Sequence, residues 1–267
     1  MKTFQDLQEG LQDPNIFKAF FLAGGPGSGK SFVVRKTTGG TGLRIVNSDD
    51  IFEKYLKDAG LEMDMRTTRA EREKEERDKL RDRAKTITKK KRDNYVEGRL
   101  GLVIDGPGKD YDKITKQSTE LKQLGYDTYM IFVNTSLDVA LERNAKRDRS
   151  VPEPMVVKSW KDVQANIGKF NNMFRGNMII VDNNDAGEDI FKVVWKRVRG
   201  LLKKKVTNTR AQNWISMELA KKASGTKGKM GTARHSGRGK LSTKIDPKKA
   251  KEISKGGFVS WARQKGR

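Results

Sequence analysis

Residues 18–37, KAFFLAGGPGSGKSFVVRKT, decide the fold. KAFFLAG (18–24) is an unbroken apolar run that stops at glycine, which reads as a buried parallel strand. SFVVRKT (31–37) starts a helix. Between them GGPGSGKS (24–31) matches G-x-x-x-x-G-K-[ST], and a strand before and a helix after give that motif its meaning. The glycines let backbone N–H groups converge on phosphate oxygens, and the helix N-terminus adds its dipole. Gly25, Pro26, Gly27, Ser28, Gly29, Lys30 and Ser31 are expected to cradle ATP, with Lys30 bridging the β- and γ-phosphates and Ser31 on Mg²⁺.

Outward from this stretch, strands and helices alternate. LRIVN (43–47), LGLVIDG (100–106), DTYMIFVN (127–134) and NMIIVDN (177–183) read as four further strands. Helical stretches separate them: Asp50 to about Ala59, then 110–124, 136–148, 153–172 and 187–203. The implied class is α/β, a P-loop kinase-type parallel sheet of about five strands with helices on both faces and a basic C-terminal extension. The expected organisation is a lead-in over 1–17, a kinase-type domain over 18–205 and a basic, partly disordered tail over 206–267. Within the domain, 66–92 is a charged helical insertion and 143–152 a lid. In the insertion Glu73 and Arg77, and Glu75 and Lys79, are spaced as helical ion pairs. With so few apolar residues this helix is expected to be solvated or protruding. Its basic end, Lys89 to Arg92, is a second candidate contact for a phosphate backbone. TRAQNWISMELAKKA (209–223) reads as an amphipathic helix in the tail.

Charge is uneven. The 267 residues carry a net charge of +23, and residues 203–267 hold 19 Lys/Arg against 3 Asp/Glu. A basic tail on a milder domain points to a polyanion, nucleic acid first; a solubilising tail is the plainer reading. There is no cysteine and one histidine, His235, in the Gly/Lys/Arg-rich stretch. Disulfides, thiolate zinc sites, histidine metal clusters and a Ser-His-Asp triad are thereby excluded. MKTFQDLQEG lacks the apolar run of a signal peptide, and no segment approaches the 18 apolar residues of a membrane span. A soluble cytoplasmic protein with no membrane partner is the expectation.

Two acidic stretches and one basic one carry further chemistry. Asp105 ends the strand LVID, where it can hold Mg²⁺ directly or through water, or face the acceptor. In VNSDD (46–50) one acid should face the crevice above the P-loop and take a hydroxyl proton, the other should cap the next helix. The assignment is Asp49 as base and Asp50 as cap. LERNAKRDRSVP (141–152) places Arg143, Arg147 and Arg149 near a helix end, Arg143 and Arg147 on one face, positioned to stabilise a migrating phosphoryl group.

Together, GGPGSGKS, VNSDD, LVIDG and ERNAKR-x-x-x-VP resemble, in order and spacing, the polynucleotide 5′-hydroxyl kinase group of P-loop phosphotransferases, the bacteriophage-type enzyme in particular, with zeta-toxin-like kinases nearby. The likeness covers roughly residues 18–175. It implies that Lys30 and Ser31 hold ATP and magnesium, that Asp49 is the general base, that Asp105 lies near the acceptor, and that Arg143 and Arg147 belong to a lid. Two departures stand out. The family's arginine three residues after the base is here Phe52, a ring that stacks on a base or sugar but does not pair with phosphate. After residue 185 nothing matches a D-x-D-x-T phosphatase motif, so kinase activity alone is expected.

The leading function is therefore an ATP-dependent kinase of a nucleic-acid hydroxyl, most simply a 5′-end, with the tail as tether. Trp214, Phe258 and Trp261 either stack on bases or dock the tail on the domain. The alternatives are a kinase of a hydroxymethylated base in DNA or of a nucleotide sugar, and, in another class, a DNA-associated scaffold that binds nucleotide.

Overall fold

The computed structural model describes residues 10–223 apart from 12, 67–70 and 186–187. Five parallel strands, β1 (Lys18–Ala23), β2 (Arg44–Val46), β3 (Leu102–Asp105), β4 (Asp127–Asn134) and β5 (Met178–Asp182), form one sheet in the order β2-β3-β1-β4-β5. The chain runs from central β1 to the β2 edge, returns to β3 and then crosses β1 to β4. The crevice outside the carboxyl ends of β1, β3 and β4 is thus the switch point where such sheets bind ligands.

Alternation along β1 explains why the strand reads as unbroken apolar sequence. Ala19, Phe21 and Ala23 join one core cluster, and Phe20 and Leu22 the other. The first cluster takes in Phe170 and Phe174 of α6 (Glu153–Phe174) and Leu121 of α4 (Tyr111–Gln123). The second takes in Val33 and Val34 of α1 (Lys30–Thr38) and Val194 and Val198 of α7 (Glu188–Lys203). Helices on both faces bury all six residues of β1. The remaining helices are α2 (Ser48–Asp58), α3 (Glu71–Glu97), α5 (Leu137–Ala145) and α8 (Thr209–Ala223).

Three expectations change. First, the packed body exceeds 18–205 at both ends. Phe17 is 1% exposed and makes edge contacts with Tyr126 at 5.6 Å and with Trp214 of α8 at 5.4 Å. The linker to α8 is pinned where the Asp127 carboxylate accepts from Thr207 N and Oγ1, both at 2.8 Å, and from Asn208 N at 3.1 Å. Trp214 therefore docks α8 onto the sheet; Phe258 and Trp261, like the rest of 224–267, lie outside the described residues. Second, α3 is not wholly solvated. Its Leu80 and Ala84 pack against Phe52 and Leu56 of α2, and Arg77 pairs with Glu73 at 2.9 Å while Glu75 and Lys79 do not pair. Lys89, Lys90 and Lys91 are exposed. Third, α5 ends at Ala145, so Arg147 stands beyond the helix rather than one turn above Arg143.

Candidate active site at the carboxyl ends of the strands

The P-loop turns at Gly27 (φ 75°) and Gly29 (φ 80°), in the left-handed region that glycine enters without steric cost. Neither position has room for a side chain. A Cβ on Gly27 would strike the Ala140 carbonyl of α5, and one on Gly29 would strike the Asn183 side chain. Among the described residues, the N–H groups of Gly27, Gly29, Lys30 and Ser31 have no acceptor. Four free donors at a loop-to-helix junction form a cradle for phosphate oxygens. Lys30 closes it, its Nζ donating to the Gly25 carbonyl at 3.0 Å. Burial lowers the Lys30 pKa below its ordinary value; Asp105 and Asp49 act to raise it, and Arg147 to lower it. All three charges are thus within electrostatic reach of the ammonium.

Asp105 stands at the end of β3, beside Leu22 of β1 in the register. Burial pushes its pKa up to about 6, against the pull of Lys30 and with the repulsion of Asp49 and Asp50. Ser31, exposed in the first turn of α1, and Asp105 are oxygen donors of the kind Mg²⁺ accepts. Among the described residues no group of three or more acidic or imidazole side chains is able to hold a metal alone. That suits an ion that takes its other ligands from phosphates and water.

Asp49 and Asp50 lie in the first turn of α2, but the cap is Asn47, whose side chain accepts from Asp49 N at 2.8 Å. Asp50 instead accepts from Asn47 Nδ2 at 3.0 Å, and its pKa is raised by burial and by Glu53 and Asp49. The expected capping role of Asp50 is therefore corrected: the helix starts two residues earlier, and an asparagine fits an Ncap as well as an aspartate does.

Phe52 also departs from expectation. It is 2% exposed and packs against Leu56 and Ala84, with the guanidiniums of Arg81 and Arg149 at 4.5 and 5.5 Å from its ring centre. As it stands, the ring offers no open face to a base or sugar. The basic group here comes instead from Arg149, which donates from Nη2 to Asp49 Oδ1 at 3.1 Å and from Nη1 to Glu53 Oε1 at 3.0 Å. Arg149 was legible as a basic residue near a helix end, but only the fold shows its partners.

The segment carrying Arg147 and Arg149 is braced. The Asn144 side chain bonds Val151 in both directions, at 2.8 and 3.1 Å, and closes the loop between α5 and α6. Ser150 Oγ donates to Asp64 at 2.9 Å. Arg143 points elsewhere: its guanidinium donates to the carbonyls of Asn183 and Asn184 at 2.6 and 2.8 Å. Asn183 in turn donates to the Ser28 carbonyl at 2.7 Å. Arg143 thus steadies the P-loop through the β5–α7 turn, while Arg147 is exposed. Asn183 escaped the sequence reading; the available signal was its place just past an apolar strand that ends at the crevice.

A parallel five-stranded sheet, a P-loop on its central strand and acidic side chains at neighbouring strand ends define a P-loop kinase-type nucleotide-binding protein. Residues 20–169, more than half of the chain, match the family described as an AAA domain, and the chain belongs to that family. No curated protein matches its sequence. Among solved structures it is similar to a putative kinase from Chloroflexus aurantiacus J-10-fl, with 15% identity, a TM-score of 0.43, and coverage of 69% of this chain and 98% of that one. It is also similar to the PezAT toxin–antitoxin system of Streptococcus pneumoniae, with 15% identity, a TM-score of 0.48, and coverage of 75% and 92%. A third likeness is to the Pnkp1/Rnl/Hen1 RNA repair complex, with 17% identity, a TM-score of 0.45 and coverage of 58% of this chain. The match spans 47%, about half, of that longer chain. No described helix is long and apolar enough to cross a membrane.

Proposed function

We propose that this protein is an ATP-dependent kinase that transfers the γ-phosphate to an alcohol, most simply the 5′-hydroxyl of a nucleic acid. The observation that carries the reading is a P-loop with four unpaired N–H donors beside strand ends that bear Asp105, at the end of β3, and Asp49, in the first turn of the helix after β2. A carboxylate in that crevice can take the proton of an attacking hydroxyl as the new bond forms. In the transfer, the acceptor oxygen bonds the γ-phosphorus, the bond to the ADP oxygen breaks, and the hydroxyl proton passes to the Asp49 carboxylate. Arg149 holds that carboxylate in place. Lys30 and Arg147 neutralise charge on the phosphoryl oxygens. Ser31 and Asp105 would hold Mg²⁺, which supplies further neutralisation when bound.

The burial of Phe52 favours a second acceptor class. With no arginine at that position, a grip on the acceptor's neighbouring phosphate falls to Arg149, and a hydroxymethylated base or a nucleotide sugar needs less of that grip. The net charge of +23 weighs toward nucleic acid. The test is transfer of labelled γ-phosphate from ATP·Mg²⁺ to a 5′-hydroxyl oligonucleotide, with Asp49→Asn alongside. Transfer by the parent and not by the variant supports the reading. ATP binding without transfer to any 5′-end shifts the acceptor to modified bases or sugar nucleotides. Partner binding that survives Asp49→Asn with no transfer anywhere leaves a scaffold.

A further inference from the structure

The outer face of α7 matches nothing in the site described above. Its apolar side, with Phe191, Val194, Val198, Leu201 and Leu202, is buried against α1 and the sheet. Lys192, Lys196, Arg199 and Lys203 repeat at intervals of four, three and four residues along the opposite side, all exposed. At 1.5 Å per residue this row is about 16 Å long, the length of about five nucleotides of stacked strand at 3.4 Å each. Residues 190–217 contain no acidic residue. Among the described residues, Lys196, Arg199 and Lys203 have no ion-pair partner; Lys192 alone pairs, with Asp189 at 3.0 Å.

Aromatic rings flank the row on the side toward α1. Trp195 is partly exposed, and the Arg199 guanidinium lies 4.5 Å from its ring centre. Phe32, 48% exposed, meets Phe191 edge-on at 5.2 Å, with Lys36 Nζ 5.7 Å from the Phe32 ring. Lys36, Phe191, Lys192 and Trp195 line a shallow depression of about 260 Å³. Cations alternating with rings beside an open groove match the two repeating chemistries of a single strand, phosphate and base. An anionic membrane fits less well, because insertion needs a broad free apolar helix face, and most of that of α7 is packed in the core, leaving Ile190 and Val193 exposed.

We infer that the α1–α7 face is a docking surface for single-stranded nucleic acid, built from residues other than those assigned to phosphoryl transfer. The inference shares only its partner class with the proposed function, and its readouts need no turnover. A kinase active on oligonucleotides can therefore fail this test, and an inactive one can pass it.

The experiment uses the full chain and a fluorescent 12-nucleotide oligothymidine, with anisotropy measured across a salt series. Lys196→Ala/Arg199→Ala/Lys203→Ala should bind about tenfold more weakly at low salt, with the log–log salt slope shallower by about 2, since each phosphate contact on a single strand contributes about 0.7. Trp195→Ala should weaken binding about tenfold without changing the slope, and Trp195→Phe should restore most of it. With a 5-bromodeoxyuridine oligonucleotide, photocrosslinks should map to the peptide holding Trp195. An unchanged slope in the triple variant, crosslinks confined to residues 224–267, or loss of binding to phosphatidylserine vesicles while oligonucleotide binding stays intact, would each overturn it.

Discussion

Arg149 donates to Asp49 at 3.1 Å from a position one hundred residues further along the chain. The same guanidinium reaches Glu53 at 3.0 Å and lies over Phe52, so one side chain ties the loop after α5 to the first turns of α2. Asp49 is largely exposed in this pair, so the stability at stake is small, about 1 kcal/mol or less. The effect on transfer is expected to be large. Arg149→Ala should lower kcat more than tenfold while the melting temperature moves by only a few degrees. Arg149→Lys should rescue little, because an ammonium lacks the fork that spans two carboxylates. Equal kcat in parent and Arg149→Ala would remove Arg149 from the site.

Asp105 is a stability cost that function retains. Its carboxyl has an ordinary value of 3.8 and titrates at about 6 in the folded chain. A raised acid pKa means that the folded state prefers the proton. The penalty is therefore absent below about pH 4, grows between pH 4 and 6, and is constant above. Asp105→Asn should stabilise the ligand-free protein by up to about 3 kcal/mol at pH 7.5 and by little at pH 4. Urea unfolding at the two pH values measures this, and the same variant should lose Mg²⁺-dependent transfer. A stability gain of equal size at both pH values would contradict the assignment.

Gly27 and Gly29 should tolerate no side chain. Gly27→Ala places a methyl against the Ala140 carbonyl and demands a positive φ of a non-glycine residue. The expected outcome is a loss of about 2 kcal/mol or more and loss of measurable ATP binding by calorimetry. Gly40→Ala is the control: its φ is 70° and open space surrounds it, so it should pay the conformational cost of about 1 kcal/mol alone and keep nucleotide binding.

At the opposite end of the sheet, Lys18 is fully buried and donates to Asp127 at 3.2 Å and to Tyr129 Oη at 3.1 Å. Burial pulls the Lys18 ammonium below its ordinary value despite the pull of Asp127. Asp127→Ala strands that charge and frees the turn before α8, so denaturant unfolding should show a loss of about 3–5 kcal/mol. Replacing Lys18 and Asp127 together with Met and Asn should cost markedly less, because no unpaired charge remains. A double variant as unstable as Asp127→Ala would mean that the ion pair is not the cause.

The P-loop, the five strands and their parallel class were legible in the sequence because each is a local property. A buried strand is a contiguous apolar run, and a phosphate cradle is eight consecutive residues. Asp49 and Asp105 were marked out the same way, as acids just past apolar strands. Three features needed the tertiary structure, and each depends on residues distant in sequence. Phe52 read as a ring able to stack on a base or sugar, yet α3 packs Leu80 and Ala84 against it. Arg143 read as part of a lid, yet its partners are carbonyls some 40 residues away. Residues 209–223 read as tail, yet Phe17 and Asp127 hold α8 to the body. Sequence by itself determined the local geometry at each strand end, because spacing and backbone conformation set it. Which side chains face one another across the crevice was decided by tertiary packing, because burial and ion pairing depend on elements that meet only when the sheet is assembled.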